Sequence, residues 1–156
     1  MKNKILILDN IRSAENVGAI FRTCDAVGIE EIILSGTTPD PIDRFGRPNP
    51  KVAKSALGAE KTISWRHANE TLVEVEKLKK DGYQIIAIEL AENSTDYKKV
   101  SPEEKVVFIL GSETDGRTKN ILDISDIIAE IPMQGNKESL NVSVSAGIAL
   151  FRILGV

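Results

Sequence analysis

Cysteine, histidine and aromatic residues are scarce in this chain of 156 residues. It has one cysteine, Cys24, and one histidine, His67. A single cysteine excludes an internal disulfide, and the two residues together are too few for a zinc site or a histidine-based catalytic triad. We therefore expect no bound metal. The sequence also lacks a signal peptide and an apolar run long enough to cross a membrane, so we expect a cytoplasmic protein without membrane contact.

An excess of positive charge is also missing. The formal net charge is -3, so the protein has no overall basic field that would attract nucleic acid. Any contact with RNA must come from a local basic patch. The hydrophobic fraction of 42% is ordinary for a soluble globular protein, and we predict that residues 1–156 form a single domain.

Short apolar runs alternate with amphipathic segments along the chain. Several of the runs are apolar throughout, which is typical of strands that are buried on both faces of a parallel sheet. The fold predicted is therefore α/β, with helices on both faces of a mostly parallel sheet. We predict strands at 4–8, 32–34, 62–65, 84–88, 106–110 and 127–131. We predict helices at 17–27, 52–57, 70–80, 119–122 and 142–154.

Polar loops follow three of these strands, after Leu8, Leu110 and Ile131. Ligands of parallel sheets bind beyond the carboxyl ends of the strands, so the loops converge on one site if the three strands are neighbours. The first loop has no Gly-x-Gly-x-x-Gly pattern. That absence argues against a dinucleotide-binding fold, a Rossmann-type methyltransferase and a small doubly wound nucleotide-binding protein.

The C-terminal segment begins with a strand that ends at Pro132 and continues through a polar loop into a helix. Ser139 occupies the position expected of an N-cap. Helical spacing places one apolar stripe on this helix: Leu140, Val144, Gly147, Ile148 and Phe151. Small residues beside the stripe allow another backbone to come close, which is explained equally well by a partner helix and by a tight crossing within the chain.

Three motifs in the sequence are informative together: 16–23 (NVGAIFRT), 110–116 (LGSETDG), and 131–135 (IPMQG) followed by 139–143 (SLNVS). In this order and over nearly the whole chain they resemble the signature motifs of the SpoU–TrmH family in the SPOUT superfamily of RNA methyltransferases. Residues 56–60 (ALGAE) are also similar to a segment of that family.

The resemblance implies a C-terminal trefoil knot, a homodimer and S-adenosylmethionine (AdoMet) as the cofactor. It implies methyl transfer to a ribose 2′-hydroxyl of tRNA or rRNA, and neither DNA nor a membrane is an expected partner. We favour tRNA, because the sequence contains only the catalytic core. The alternatives are an rRNA substrate and a catalytically inactive RNA-binding or assembly factor with the same fold.

The resemblance also assigns residues. Those expected to bind the cofactor are Leu110, Gly111, Ile131, Met133, Ser139, Leu140 and Asn141. We add Leu90 to them, because it lies at the end of a predicted strand. Those expected to serve catalysis are Arg22, Asn16, Glu113, Ser139 and Asn141. Since arginine stays protonated in proteins, Arg22 either stabilises a developing alkoxide or manages its proton in an unusual environment.

A local basic patch is the remaining candidate site. The long loop between the second strand and the second helix contains arginines, and lysines follow it. The simpler interpretation is a solvated charged loop, and the functional one is phosphate binding. The residues predicted to contact RNA are Arg12, Arg44, Arg47, Lys51 and Lys54.

Overall fold

The structure is a computed structural model, which describes residues 2–111 and 117–156. Its strands are β1 (Lys4–Asp9), β2 (Glu31–Ser35), β3 (Ser64–Ala68), β4 (Gln84–Ile88), β5 (Thr95–Asp96), β6 (Val106–Gly111) and β7 (Ile127–Glu130). Its helices are α1 (Ala14–Val27), α2 (Pro50–Ala56), α3 (Ala59–Thr62), α4 (Thr71–Lys80), α5 (Arg117–Ile124) and α6 (Val142–Leu154). A 3₁₀ turn covers Tyr97–Lys99.

The strands described form one parallel sheet in the order β3-β2-β1-β6-β4-β7-β5. Side chains of successive strand residues point to opposite faces, so each strand contributes to two cores. In β1, Leu6 and Leu8 pack on the side of α1, α2, α3 and α6. Ile5 and Ile7 pack on the side of α4 and α5. The predicted α/β class, with helices on both faces of the sheet, is confirmed.

Helix α1 has signals at both ends and a close contact in its first half. The hydroxyl of Ser13 accepts from the backbone N–H of Asn16 at 3.2 Å, and Gly28 ends the helix in the left-handed conformation. A Cβ added to Gly18 would lie 2.0 Å from Ser55 Oγ and 2.3 Å from the carbonyl oxygen of Val52. Gly18 is therefore the point at which the backbone of α2 approaches α1.

Helix α6 buries one side in the core and exposes apolar residues on the other. Ala146, Ala149, Leu150 and Ile153 are buried in the core that contains α1. Of the predicted stripe, Leu140 lies before the helix, and the large apolar residues within the helix face solvent: Val144 is 48% exposed, Ile148 36% and Phe151 39%. We call these three residues the α6 stripe.

The N-cap of α6 differs from the prediction. Asn141, not Ser139, caps the helix, because its Oδ1 accepts from the backbone N–H of Ser143 at 2.9 Å and from the Ser143 hydroxyl at 2.6 Å. An asparagine oxygen reaches the N–H two residues later, so the helix begins one residue after Asn141. Ser139 is left in the preceding loop.

Two further predictions of secondary structure were wrong. Residues 62–65 are not one strand, because the hydroxyl of Thr62 and the N–H of Ile63 both donate to the carbonyl of Ala59 and close a helical turn. The segment 93–102 is not only loop, because Thr95–Asp96 pairs with Ala129–Glu130 of β7. No helix in the described ranges is long and apolar enough to span a membrane.

Candidate active site

A pocket opens at the carboxyl ends of β4, β6 and β7. It has a volume of about 590 Å³ including its open mouth. The residues that line it come from the three strand ends, from the loop before α6 and from the first turn of α6: Ile88, Glu89, Leu90, Leu110, Gly111, Ile131, Met133, Glu138, Ser139, Leu140, Val142 and Ser145. This is the edge at which parallel sheets bind ligands.

Every residue predicted to bind the cofactor lines this pocket, except Asn141. The predicted convergence of three loops takes a different form, however. Strand β4 lies between β6 and β7, so the loop after β4, which holds Leu90, joins the loops after Leu110 and Ile131. The loop after β1 does not line the pocket, and the helix that follows this loop reaches the pocket edge indirectly, through Asn16.

Sequence reasoning missed two acidic residues of the pocket, Glu89 and Glu138. Glu89 directly follows the buried strand β4, and its Oε1 accepts from the backbone N–H of Leu90 at 3.0 Å. Its position beside Leu90 was the available signal, because a polar residue at the carboxyl end of a buried parallel strand faces the ligand edge. For Glu138 the only signal in the sequence was its position directly before Ser139.

Gly111 separates the pocket from a buried polar cluster. Gly111 pairs in register with Asp9 of the neighbouring strand β1. Asp9 is buried, and its Oδ1 accepts from Asn10 Nδ2 at 2.9 Å and from the hydroxyl of Thr71. A Cβ on Gly111 would lie 3.2 Å from Asp9 Oδ2, so a larger residue would have to displace this carboxylate or narrow the pocket.

Two of the predicted catalytic residues are in contact. Asn141 Nδ2 donates to Asn16 Oδ1 at 3.3 Å, which joins the first turn of α1 to the start of α6. Ser139, two residues before Asn141, lines the pocket. The structure therefore brings Asn16, Ser139 and Asn141 to one edge of the pocket.

Arg22 is not among the residues that line the pocket. It is exposed on α1 and has no hydrogen bond or ion pair with any described residue. It is four residues after Gly18, so it lies on the side of α1 that faces α2. Glu113, the remaining predicted catalytic residue, lies outside the described residues.

The predicted RNA-binding residues form a patch with one outlier. Arg44, Arg47 and Lys51 line one open hollow on the surface. Lys54 is on the next turn of α2. Both lysines act on Glu15: a hydrogen bond from its own backbone lowers the pKa of the Glu15 carboxyl most, and the positive charges of Lys51 and Lys54 lower it further. The outlier is Arg12, which is exposed just before α1.

Within the part of the chain that the structure describes, no group of three or more histidine, cysteine or acidic residues is placed to hold a metal ion. Cys24 is buried, and burial raises the pKa of its thiol. Its thiol therefore stays protonated and does not act as a nucleophilic thiolate.

The sequence between residues 3 and 151 matches the profile of the SpoU rRNA methylase family. The chain belongs to this family. This chain is 34% identical over 149 residues to a protein of Staphylococcus saprophyticus that is named as a TrmH family tRNA/rRNA methyltransferase. This match covers 96% of the chain but 57% of the relative, so the chain spans little more than half the length of that relative.

Solved structures of the same family share the fold. The A. aeolicus TrmH/SpoU tRNA modifying enzyme has a TM-score of 0.84 at 29% identity, over 99% of this chain and 75% of that protein. The AdoMet-bound rRNA methyltransferase of Sinorhizobium meliloti also has a TM-score of 0.84, at 30% identity, over 98% of this chain and 56% of that protein.

Proposed function

We propose that this protein is an AdoMet-dependent RNA methyltransferase that modifies a ribose 2′-hydroxyl, with tRNA as the favoured substrate and residues 1–156 as one catalytic domain. The pocket at the ends of β4, β6 and β7 carries the proposal, because it unites residues of two separate family motifs on one surface. Family membership and the AdoMet-bound relative support the cofactor.

The residues of the pocket suit AdoMet chemically. Ile88, Leu110, Ile131 and Leu140 offer apolar surface to the adenine ring. Glu89 and Glu138 add negative charge, which favours the amino group and sulfonium of a cationic ligand. Bound AdoMet supplies an activated methyl group, so the chain itself needs to bind, orient and manage one proton.

The polar residues at the pocket edge would supply orientation. We assign the Asn16–Asn141 pair and Ser139 to holding the ribose or the cofactor, since good positioning alone accounts for much of the rate of such a transfer. We assign Arg22 to stabilising the 2′-oxygen as it loses its proton, or to clamping the neighbouring phosphate.

We also propose a homodimer. The α6 stripe is apolar and exposed on a helix that packs beside α1, and a second copy of the chain would cover it. A dimer also gives Arg22, which lies outside its own pocket, a second pocket to act on. The C-terminal trefoil knot stays a proposal that rests on the family resemblance. The cytoplasmic location stays a proposal that rests on the sequence features given for it above.

A methylation assay tests the function. The purified protein is incubated with methyl-labelled AdoMet and either an unmodified tRNA pool or unmodified rRNA, and digested RNA is analysed by mass spectrometry. We expect 2′-O-methylnucleosides in tRNA. Transfer only to rRNA would favour that substrate, methylation of a base would contradict the ribose assignment, and RNA binding without transfer would favour the inactive assembly factor.

Calorimetry with AdoMet is the companion measurement. We expect binding that is unchanged in excess chelator, because among the described residues no three histidine, cysteine or acidic side chains are grouped to hold a metal ion. Binding that disappears with chelator, or no binding by the intact protein, would contradict the proposed cofactor chemistry.

A further inference from the structure

The loop from Ile42 to Pro48 holds a phenylalanine in solvent. Phe45 is 66% exposed, and the guanidinium carbons of Arg44 and Arg47 lie 4.8 Å and 5.0 Å from the centre of its ring. One exposed apolar side chain is ordinary on a protein surface. An exposed ring flanked by two guanidinium groups is more specific, because aromatic faces hold unstacked nucleobases and arginines hold bases and phosphates.

Asp43 fixes the shape of this loop. Its Oδ1 accepts from the backbone N–H groups of Phe45 and Arg47, both at 2.9 Å, and its Oδ2 accepts from Arg47 Nε at 2.8 Å. These bonds, with that to the Arg47 backbone contributing most, lower the pKa of Asp43. A β-bridge between Ile42 and Pro48 closes the loop at its base. Phe45 is therefore presented by a preformed loop, which reduces the entropy lost on binding.

The two arginines differ in their freedom. The Asp43 carboxylate holds Arg47 in place. Arg44 has no ion pair with any residue of the described ranges. Arg44 can leave the ring at little cost, contact a phosphate and uncover a face of Phe45.

The hollow beside the ring has a small excess of positive charge. Three cations line it, Arg44, Arg47 and Lys51, against two carboxylates, Asp40 and Asp43, of which Asp43 is bound to Arg47. Among the described residues Arg44 and Lys51 have no ion pair, and the charge of Lys51 also acts on Glu15. In a chain whose net charge is -3, this local positive charge suits a phosphate backbone.

We propose that Phe45 stacks on an unpaired nucleobase of the substrate RNA while Arg44 and Lys51 contact the flanking phosphates. The proposal rests on RNA being the substrate, as proposed above. It narrows the substrate class to RNA with an accessible unpaired nucleotide, because a base inside a double helix offers no free face.

The experiment compares the affinity of the full chain for an unmodified tRNA transcript, by fluorescence anisotropy at fixed salt, with that of Phe45→Ala, Phe45→Tyr and Val73→Ala. Val73 is the control, since it is 58% exposed on α4, on the opposite face of the sheet. We expect Phe45→Ala to weaken binding about 5- to 150-fold, because a stacked aromatic contributes that range of affinity. Phe45→Tyr and Val73→Ala should bind as the unaltered chain does, and AdoMet affinity should be equal in all four.

A second variant reports stacking directly. The fluorescence of Phe45→Trp should be quenched by a single-stranded oligonucleotide and not by a duplex of the same length. Equal quenching by both, or unaltered tRNA affinity in Phe45→Ala, would overturn the proposal. Phe45-dependent binding without methyl transfer would support the stacking site and contradict the proposed function, whereas methyl transfer with Phe45-independent binding would do the reverse.

Discussion

The side chain of Asn141 donates to Asn16 across 125 residues of sequence, with 3.3 Å between Nδ2 and Oδ1. The same asparagine caps α6 through its Oδ1. One residue therefore both starts the last helix and fixes its position relative to the first turn of α1. This pair is where two of the family motifs meet.

Replacing Asn141 should separate its two tasks. Serine caps helices about as well as asparagine but is too short to reach Asn16, so Asn141→Ser should keep the melting temperature and lower methyl transfer. Asn141→Ala should lower both, with a stability loss of about 1 kcal/mol from the missing cap. Melting curves and single-turnover methylation measure the two effects. Full activity in a folded Asn141→Ser protein would remove the link from the catalytic site.

Two helical glycines make a matched pair for stability. In Gly18→Ala the new methyl meets the backbone of α2, so we expect a loss of about 1–3 kcal/mol or more in the free energy of unfolding. In Gly147→Ala no described residue outside the adjoining turns of α6 lies within 4 Å of the new methyl. Alanine should therefore stabilise the folded chain by about 0.5–1 kcal/mol through helix propensity. Denaturant unfolding checks both values, and equal effects of the two substitutions would contradict the assigned role of Gly18.

The α6 stripe should hold the dimer. Ile148→Asp places a charge on the apolar surface that the second copy would bury, so the variant should sediment as a monomer at micromolar concentration. Val73→Asp puts the same charge on an exposed position of α4 and should leave the dimer intact. A monomeric unaltered protein, or an Ile148→Asp variant that still dimerises, would exclude this stripe as the interface.

Arg22 carries the most chemistry in the proposal. Arg22→Ala should keep AdoMet affinity, because Arg22 does not line the pocket, and should lower turnover by about a hundredfold or more. Arg22→Lys should restore only part of the rate, since lysine lacks the planar fork. Single-turnover assays at saturating tRNA are the measurement. If Arg22 only stabilises α1, the folded Arg22→Ala protein will react at a near-normal rate.

A mixture of two inactive proteins can locate the target of Arg22. Arg22→Ala is combined with a second inactive variant whose defect lies in the pocket, such as Gly111→Val. Recovery of activity in mixed dimers would mean that Arg22 acts on the pocket of the partner. No recovery, with mixed dimers confirmed, would mean that it acts within its own chain.

The basic patch should act through the members that form no ion pair with a described residue. Arg44→Gln, Lys51→Gln and Lys54→Gln should each flatten the dependence of RNA affinity on salt concentration, because each removes a phosphate contact. Arg47→Gln should do so less, since Asp43 already neutralises Arg47. Equal salt slopes for all the variants and the unaltered chain would identify the patch as a solvated loop.

The sequence was most informative where one physical signal dominated. The central residues of buried parallel strands such as β1 and β6 are all apolar, and Gly28 ends α1 as expected. A pocket built from backbone groups leaves little pattern in the side chains of a sequence. The motif residues that line this pocket were identified from the family resemblance. Leu90 was included only because it follows a buried strand.

The features that the sequence did not reveal depend on tertiary contacts. The order of strands is not written in local periodicity, so the place of β4 between β6 and β7 was not foreseen. The outward direction of the α6 stripe follows from α1 taking the side with the small residues. Phe45 between two arginines was visible in the sequence, but its exposure and the restraint by Asp43 were not.

The wide spacing of the pocket segments has a consequence for synthesis on the ribosome. The pocket draws on residues from Ile88 to Ser145, and α6 fills a groove beside α1, which precedes it in the chain. During synthesis, the part of the α1 surface that packs against α6 stays uncovered until α6 has emerged. The pocket can form only after the loop before α6 and its first turn have been made, so a chain that stalls before α6 has neither that part of the core nor the complete site.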